Sequence, residues 1–495
     1  MDWSSRGHLM SIKYHYGIDF GTTNSSVSFM PISDGGGLPH PLHFGDEEGR
    51  PIPSTVAIDR KTGTIYTGRD AWNKRRELSD TCECIQSVKL LLDKDGWAKD
   101  IAGKHWTAED VATEVFKNLK EATNRDNENY SMDSATVAVP IGFNAKKRAT
   151  LRRAAERAGV AIEAFVSEPT AAFCANYEAL RGAQHVVVFD WGGGTLDVSV
   201  LKISGGRIYE LSTAGMPVAG DDIDEAVARK IHTKVAAAKG VTISFDDMPA
   251  QSKDRMLVRA ERAKRDLSDE DDTVVSLNKY GELGAFRQRL TYEEFSAIVD
   301  SIVNDAIDCL DKAIADSGEP EANIDTILMV GGSSNIGPLL ERLDERFGDK
   351  LYFPEETVWN ISSGAAQLSY MPGKHLCAQK VGLRLADDSY FPLIMESDPV
   401  TNWKKELTFG LVDTSQEIRV VFAGSKDIEE SESHINSLKV PGYAFLEERL
   451  QLIAEIDENM IFRVTMKSSM RPDRDAVVWE YDKLKLSYEL GISGR

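Results

Sequence analysis

The stretch VVVFDWGGGTLDVSVLKI (residues 186–203) is a wholly apolar strand that ends in a carboxylate, turns through three glycines and a threonine, and resumes as a second strand. A similar order of residues occurs 171 residues earlier. There, in YGIDFGTTNSSVSFM (16–30), an apolar strand runs into Asp19, turns at Gly21 and two threonines, and alternates onward. Both stretches predict a β-hairpin with a polar tip, so a similar motif occurs twice in the sequence.

Each predicted hairpin has a carboxylate at a strand end, glycines that let backbone N–H groups approach an anion, and a neighbouring hydroxyl. Two such turns that faced each other would clamp phosphates. Asp19 and Asp190 suit a Mg²⁺ ion that is held mainly through water, although both stretches could also be ordinary turns. No GxxxxGK[ST] sequence is present and no GxGxxG follows a first strand, so a P-loop and a dinucleotide site are excluded.

Two further segments carry polar groups in a regular arrangement. ILMVGGSSNIGPLLERL (327–343) is an apolar strand followed by a glycine turn and a helix whose N-terminus could face a nucleotide. RAERAKRDLS (259–268) places polar side chains on one helical face, which in isolation is typical of a solvated surface. Helix and strand patterns alternate up to about residue 372, which indicates an α/β architecture, and beyond it short alternating segments predict an antiparallel all-β domain.

Composition narrows the class of protein. A chain of 495 residues is expected to form two or more domains. Its formal charge of −21 disfavours binding to nucleic acid and to anionic lipid. Five cysteines are too few, and odd in number, for a disulfide framework, and neither a signal peptide nor an apolar stretch of ~18 residues is evident. We therefore expect a cytoplasmic protein with no membrane partner.

In this order and spacing, the motifs GIDFGTTNS, SEPTAA, FDWGGGTLDVS, ERAKRDLS and VGGSS resemble the ATPase domain of the 70-kilodalton heat-shock chaperone family, a branch of the actin and sugar-kinase superfamily. The resemblance covers roughly residues 14–370. It implies an actin-like ATPase domain of two duplicated α/β halves, followed by a small antiparallel β-sandwich domain. The expected boundaries are 1–13 for an N-terminal extension, 14–370 for the ATPase domain, 371–380 for a linker and 381–495 for the β-sandwich.

The resemblance also implies roles for individual residues, with ATP or ADP and Mg²⁺ as cofactors. The catalytic group would comprise Lys89, Glu168, Asp190 and Asp197, and Asp19 and Asp190 would hold the metal mostly through water. The ATP-binding group would comprise Thr22, Thr23, Gly192, Gly193, Gly194, Thr195, Gly220, Asp221, Glu261, Lys264, Ser268, Gly331, Gly332 and Ser333.

Within these sets, Lys89 would reach the γ-phosphate, and Glu168 would lie near the attacking water and the metal. A lysine at the surface and an acidic residue before a helix are the alternatives. Hydrolysis would proceed by in-line attack of water, with the protein supplying position and charge stabilisation. Because no histidine or strongly activated base lies in these motifs, we expect slow turnover, as in a switch.

The sequence departs from the family pattern at several positions. Asn335 stands where an arginine usually packs on the nucleotide, which removes one stacking contact. Trp191 replaces a leucine, and the acidic residue that the family usually has shortly before the GAA at 364–366 is not evident in VWNISSGAA. YMPGKHLCAQK (370–380) stands in place of the usual leucine-rich acidic linker. The sequence therefore does not predict whether the two domains are allosterically coupled.

The β-rich part resembles the peptide-binding β-sandwich of the family. By that resemblance Leu383, Phe409 and Ile418 would line a peptide groove, although plain core packing is the alternative. The sequence stops after the last predicted strand, so we expect a short form without the C-terminal helical lid, from which a peptide would leave faster.

Three functions fit this sequence. The leading one is an ATP-dependent chaperone-like protein that controls the binding of unfolded or extended polypeptides, with a J-domain co-chaperone or exchange factor as a further partner. The alternative is a nucleotide-controlled scaffold dedicated to one partner. A sugar or acetate kinase of the same superfamily is disfavoured, because the C-terminal third is rich in strands.

Overall fold

The computed structural model describes residues 14–32, 38–44, 50–78, 81–94, 96–126, 130–385, 387, 389–410, 417–423, 434–441, 449–481 and 484–490. The chain forms two compact units. The first comprises Met1–Gly142, Thr150–Leu201 and Leu211–Met371, and the second comprises Phe143–Ala149, Lys202–Glu210 and Pro372–Arg495.

The α-helices lie mostly in the first unit. They are α1 (Gly68–Leu78), α2 (Ala108–Asp126), α3 (Ala145–Arg157), α4 (Glu168–Ala175), α5 (Gly220–Lys239), α6 (Ala250–Asp266), α7 (Tyr292–Ser317), α8 (Gly337–Phe347) and α9 (Asn360–Tyr370). Helix α5 buries the stripe of Ile223, Val227, Ile231 and Val235, and it ends where Gly240 takes a left-handed conformation. None of the helices in the described residues has the length and apolar character needed to cross a bilayer.

Strands alternate with these helices along the first unit. They are β1 (Tyr14–Asp19), β2 (Asn24–Pro31), β3 (His40–Pro41), β4 (Ile52–Pro53), β5 (Val56–Asp59), β6 (Ile65–Thr67), β7 (Cys82–Ile85), β8 (Ala98–Ile101), β9 (Lys104–Thr107), β10 (Ser134–Val139), β11 (Ala161–Ser167), β12 (His185–Trp191), β13 (Leu196–Ser204), β14 (Arg207–Met216), β15 (Asp272–Leu277), β16 (Phe286–Thr291), β17 (Thr326–Val330) and β18 (Leu351–Tyr352).

Two sheets of the first unit repeat one strand order. The first runs β11-β10-β1-β2-β3, and the second contains the run β18-β17-β12-β13-β14. In each, an antiparallel hairpin is extended on one side by strands parallel to its first strand, as in the pairs β1–β10 and β12–β17. This repeated topology confirms the predicted hairpins and the two α/β halves.

Glycines let the elements beneath the first hairpin pack closely. A Cβ atom at Gly17 of β1 would lie 2.1 Å from the Ala366 backbone nitrogen on α9. A Cβ atom at Gly364 of α9 would lie 1.8 Å from the Ala171 carbonyl oxygen on α4. Since either side chain would force these backbones apart, the two glycines fix α4 and its first residue, Glu168, relative to the end of β1.

The second unit is built from short antiparallel strands. They are β19 (Lys374–Cys377), β20 (Val381–Arg384), β21 (Tyr390–Ile394), β22 (Lys404–Gly410), β23 (Glu417–Ala423), β24 (His434–Pro441), β25 (Arg449–Ile456), β26 (Phe462–Ser468), β27 (Val477–Tyr481) and β28 (Leu486–Glu489).

Two four-stranded sheets, β21-β20-β23-β24 and β22-β25-β26-β27, make up most of this unit. Alternate residues of β25 and β26 are buried in one core, among them Leu452 and Val464. The fold class is thus confirmed as an actin-like α/β part with two halves, followed by a β-sandwich. Strand β19 lies inside 371–380, the segment predicted to be a linker, and pairs with β28.

Candidate functional site

The two hairpin tips of the first unit meet face to face. The Thr23 hydroxyl donates a hydrogen bond to Asp221 Oδ2 at 3.5 Å. A Cβ atom at Gly193 would lie 2.9 Å from Thr23 Oγ1, and one at Gly194 would lie 3.0 Å from Thr22 Cγ2. The threonines of the first turn therefore lie against the glycines of the second, and this approach has no room for larger side chains.

The second turn is held from behind by backbone hydrogen bonds. The Gly220 N–H donates to the Gly192 carbonyl at 3.1 Å, and the Asp221 N–H donates to the Gly193 carbonyl at 2.8 Å. The hydroxyl of Ser333 donates to the same Gly192 carbonyl at 2.8 Å. These bonds bring three segments together: the second turn (residues 192–195), the start of α5 and the third glycine turn (residues 331–333).

Trp191 fills the space behind the second turn. Its side chain is fully buried, and its indole N–H donates to the Val218 carbonyl at 3.2 Å. Next to it, Gly331 has a φ of +80°, and a Cβ atom there would lie 2.5 Å from the Trp191 carbonyl oxygen. A Cβ atom at Gly332 would meet nothing within 4 Å, so the backbone there stays open.

Lys89 forms a buried ion pair. Its Nζ donates to Glu168 Oε1 at 2.6 Å, and the two side chains are 9% and 7% exposed. Glu168 is the first residue of α4, whose N-terminus is capped by the hydroxyl of Ser167 accepting from the Thr170 N–H. The helix end and Lys89 both favour the charged carboxylate, while burial raises the pKa of Glu168 to about 7.

Three more carboxylates share this region. Burial raises the pKa of Asp19, Asp190 and Asp197, and Lys89 opposes the rise in each case. The charges of Glu168, Asp19 and Asp197 further raise the pKa of Asp190. Burial disfavours the charge on Lys89, but these acidic neighbours raise its pKa above the ordinary value. The cluster thus holds four acidic groups around one ammonium, and a further cation would favour their charged forms.

A small cavity opens beside the carboxylates. Its volume is about 10 Å³, which is about the room that one water molecule needs. The cavity is lined by Pro140, Ile141, Glu168, Pro169, Val188, Asp190, Asp197, Ser199 and Thr213. Polar and apolar atoms both contribute to this wall, so a water molecule there would have carboxylate partners on one side.

The polar face of α6 reaches the site through Lys264. Its Nζ lies 2.9 Å from Asp224 Oδ1 and donates to the Gly220 carbonyl at 3.1 Å. Glu261 pairs with Arg265, and the hydroxyl of Ser268 donates to the Lys264 carbonyl at 3.4 Å. Glu261 and Lys264 lie on α6, and Ser268 follows it. Among the contacts described here for these three predicted ATP-site residues, those of Lys264 reach the start of α5.

Two residues that hold the site were not singled out from the sequence as site residues. The buried hydroxyl of Ser54 donates to the Gly21 carbonyl at 3.0 Å and lies 2.8 Å from Ser25 Oγ, which fixes the first turn. The second is Asp224, which pairs with Lys264. Its position four residues after Gly220, on the buried face of α5, is the signal that could have marked it, because a buried carboxylate needs a partner.

The predicted peptide-groove residues lie in the second unit. Leu383 is 3% exposed and belongs to the core of the sandwich. Phe409 is half-buried on β22 and contacts the Phe391 ring edge to face, with centroids 5.7 Å apart. The backbone of Ile418 is part of β23, but its side chain lies outside the described residues.

One comparison bears on identity. A family model described as Hsp70 protein matches residues 91–478. The match covers more than half of the chain and includes Glu168, the second and third glycine turns and most of the second unit, while Asp19 and Lys89 precede it. Hsp70 proteins are nucleotide-binding chaperones and ATPases. The two facing turns, the buried lysine–carboxylate cluster and this match lead to one conclusion: the chain belongs to the Hsp70 family.

Proposed function

We propose that this chain binds and hydrolyses ATP to control its binding of extended polypeptide segments. The observation that carries the proposal is the position of Lys89. Its ammonium lies 2.6 Å from Glu168 and interacts with the charges of Asp19, Asp190 and Asp197, and Asp19 and Asp190 lie next to the two glycine–threonine turns that face each other. Such an arrangement supplies both donors and a cation for a polyphosphate.

The turns would bind the nucleotide through its phosphates. Backbone N–H groups at Gly192, Gly193 and Gly194 can approach phosphate oxygens because no side chain intervenes. Thr22, Thr23 and Thr195 add hydroxyls. The start of α5, at Gly220 and Asp221, lies next to the second turn and contributes its positive helix end. Lys264, Glu261, Ser268, Gly331, Gly332 and Ser333 would border the nucleoside.

Asp19 and Asp190 fit a hydrated Mg²⁺ ion. Among the described residues, no three His, Cys, Asp or Glu side chains converge closely enough to ligate a metal directly. The cluster nevertheless holds acidic groups at or next to strand ends that are partly open to the cleft. Mg²⁺ keeps much of its water in such sites and, when bound, neutralises phosphate charge.

Hydrolysis would rest on position and charge. Glu168, Asp190 and Asp197 would orient an attacking water molecule by accepting its hydrogen bonds, and Lys89 would stabilise the charge that develops on the γ-phosphate. The hydrogen bond from Lys89 already occupies Glu168 Oε1, and no histidine lies in the quoted motifs to accept a proton from the water, so we expect slow turnover.

Replacing the site lysine tests this assignment. In Lys89→Met, hydrolysis should fall by about 100-fold or more because one cation no longer stabilises the transition state. Binding of ATP should weaken far less, since the turns remain. Phosphate release and calorimetric titration measure the two effects. The matched control is Lys99→Met, which removes a lysine paired with Glu83 at the surface and should leave both unchanged. Hydrolysis within about threefold of wild type in Lys89→Met would contradict the role of Lys89.

Because the carboxylates are crowded, replacing Asp190 by asparagine should raise the stability of the fold, and this gain should depend on pH. Burial and then the acidic neighbours hold the pKa of Asp190 well above its ordinary value in the folded state. Folding therefore carries a free-energy cost that grows as pH rises from the ordinary pKa of an aspartate towards the raised one. Asp190→Asn removes this cost. The nucleotide-free variant should unfold at a higher temperature than wild type at pH 8, by about 2 °C or more, and the gain should shrink at pH 5.

Scanning calorimetry at the two pH values measures this effect, and phosphate release should show that the same variant has lost hydrolysis. Asp316→Asn, at an exposed position of α7, is the control and should shift neither quantity. A lower unfolding temperature for Asp190→Asn at pH 8 would mean that the carboxylate stabilises the empty site, contrary to the charge argument.

We extend the proposal to polypeptide binding by the second unit. Strand β22 is an edge strand in the described part of its sheet, and its residues alternate between exposed and half-buried. An extended segment can add to such an edge by main-chain hydrogen bonds, with Phe409 as an apolar contact. Residues 14–370 and 381–495 would then be the nucleotide-binding and polypeptide-binding domains, and a J-domain co-chaperone or exchange factor would act on the first.

A labelled apolar heptapeptide tests this part by fluorescence anisotropy. It should bind the wild type and dissociate faster when ATP is added. Phe409→Ser should weaken binding at least about fivefold, because an apolar contact is lost. Val478→Ser, on the same sheet and 50% exposed, should bind as wild type does. ATP binding without any peptide response would instead favour the scaffold dedicated to one partner.

A further inference from the structure

Helix α5 begins with three carboxylates that make three different contacts, Asp221 and Asp222 in its first turn and Asp224 just after it. Asp222 Oδ2 accepts from the Ala219 N–H at 2.8 Å and so caps the helix. Asp221 accepts from the hydroxyl of Thr23, which lies in the turn between β1 and β2. Asp224 is 7% exposed and pairs with Lys264 on α6 at 2.9 Å. A cap therefore does not explain Asp224.

Stability alone is also a weak explanation for the Asp224–Lys264 pair. Both side chains are about nine-tenths buried, at 10% and 11% exposure. Removing two charges from water costs free energy that their attraction repays only with good geometry, and an apolar pair of similar volume is often as stable. Burial raises the pKa of Asp224 to about 7 even with Lys264 opposing it, which reflects that cost.

The pair instead fixes where the ammonium lies. Lysine has a flexible stem and three N–H donors. One is donated to the Gly220 carbonyl at 3.1 Å, and the charge of the ammonium is paired with Asp224 Oδ1 at 2.9 Å. A Cβ atom at Gly220 would lie 3.1 Å from Lys264 Nζ and 2.5 Å from Ser333 Oγ. The ammonium is thus held where the start of α5, the second turn and the third turn meet.

We propose that Asp224 is a positioning residue of the nucleotide site, which holds Lys264 so that a remaining N–H of its ammonium faces the sugar and phosphates of bound ATP or ADP. This inference rests on the proposed function. Other charged groups face Asp224 as well, namely Glu261 on α6 and Asp221 on α5 itself. Both are acidic, so Lys264 is the cation that Asp224 can hold.

A double-mutant cycle on the full chain tests the proposal. Titration of ADP by calorimetry should show binding weakened about tenfold by Asp224→Asn and by a similar factor in Lys264→Met. The double variant should bind no more weakly than Lys264→Met, because Asp224 acts through the lysine. For Asp224→Asn, turnover at saturating ATP should stay within about twofold of wild type while KM rises, since the hydrolytic residues are untouched.

Asp222→Asn is the matched control on the same helical turn. It removes the cap to Ala219, so its effects should add to those of Lys264→Met instead of being masked by it. The proposal is overturned if Asp224→Asn binds ADP like wild type, or if its effect adds in full to that of Lys264→Met.

Thermal unfolding without nucleotide separates this proposal from the proposed function. Asp224→Asn leaves a buried ammonium without its partner, so it should unfold at a lower temperature than the double variant. If wild type binds no nucleotide, the proposed function fails, and so does the positioning role, while this thermal comparison still shows whether the pair forms. Thermal coupling with unchanged ADP affinity would make the pair structural and would overturn the positioning role.

Discussion

Four carboxylates crowd around one buried ammonium, and the rest of the first unit serves to hold them there. Asp19 ends the first strand of one hairpin, and Asp190 is the residue before the end of the first strand of the other. Asp197 is the second residue of the strand that follows, and Glu168 begins α4. Holding several carboxylates close together in a buried place costs free energy of folding unless cations neutralise them. Under the proposed function, a hydrated Mg²⁺ ion that accompanies the bound nucleotide would offset this charge.

Duplication supplies the geometry for this arrangement. The two main sheets repeat one strand order, so each hairpin presents its tip at an equivalent place. Glycine then sets how near the tips approach, because a methyl group at Gly193 or Gly194 would collide with Thr23 or Thr22. Further from the cleft, Gly17 and Gly364 perform a similar role by letting β1, α9 and α4 pack at backbone distance.

Much of this was predictable from sequence, because strand ends, glycines and apolar runs are local signals. The hairpins, the alternation of helices and strands, and the β-rich second unit were all expected from such patterns. The long-range pairings were not. Lys89 and Glu168 are 79 residues apart, and no local pattern tells which carboxylate a lysine meets. Asp224 was hidden in an acidic stretch that resembled a helix cap, although only Asp222 closes one.

Trp191 and Leu383 show the same limit at single positions. The tryptophan could be identified as a departure from the family pattern, but the bond from its indole to the Val218 carbonyl depends on the folding of a distant turn. Leu383 was predicted to line a groove, and alternation along a strand does not distinguish a groove from a core. In the structure its side chain is buried with the sandwich core.

The central claim is that the two facing turns and the carboxylate cluster form a nucleotide site that needs a divalent cation. Calorimetric titration of the wild-type chain with ADP, in the presence of Mg²⁺ and again with a chelator, tests it most directly. The account predicts one ADP bound per chain with Mg²⁺ and affinity at least about tenfold lower without it, because phosphate would then face the carboxylates unshielded. Absence of ADP binding, or binding that is indifferent to Mg²⁺, would contradict the account.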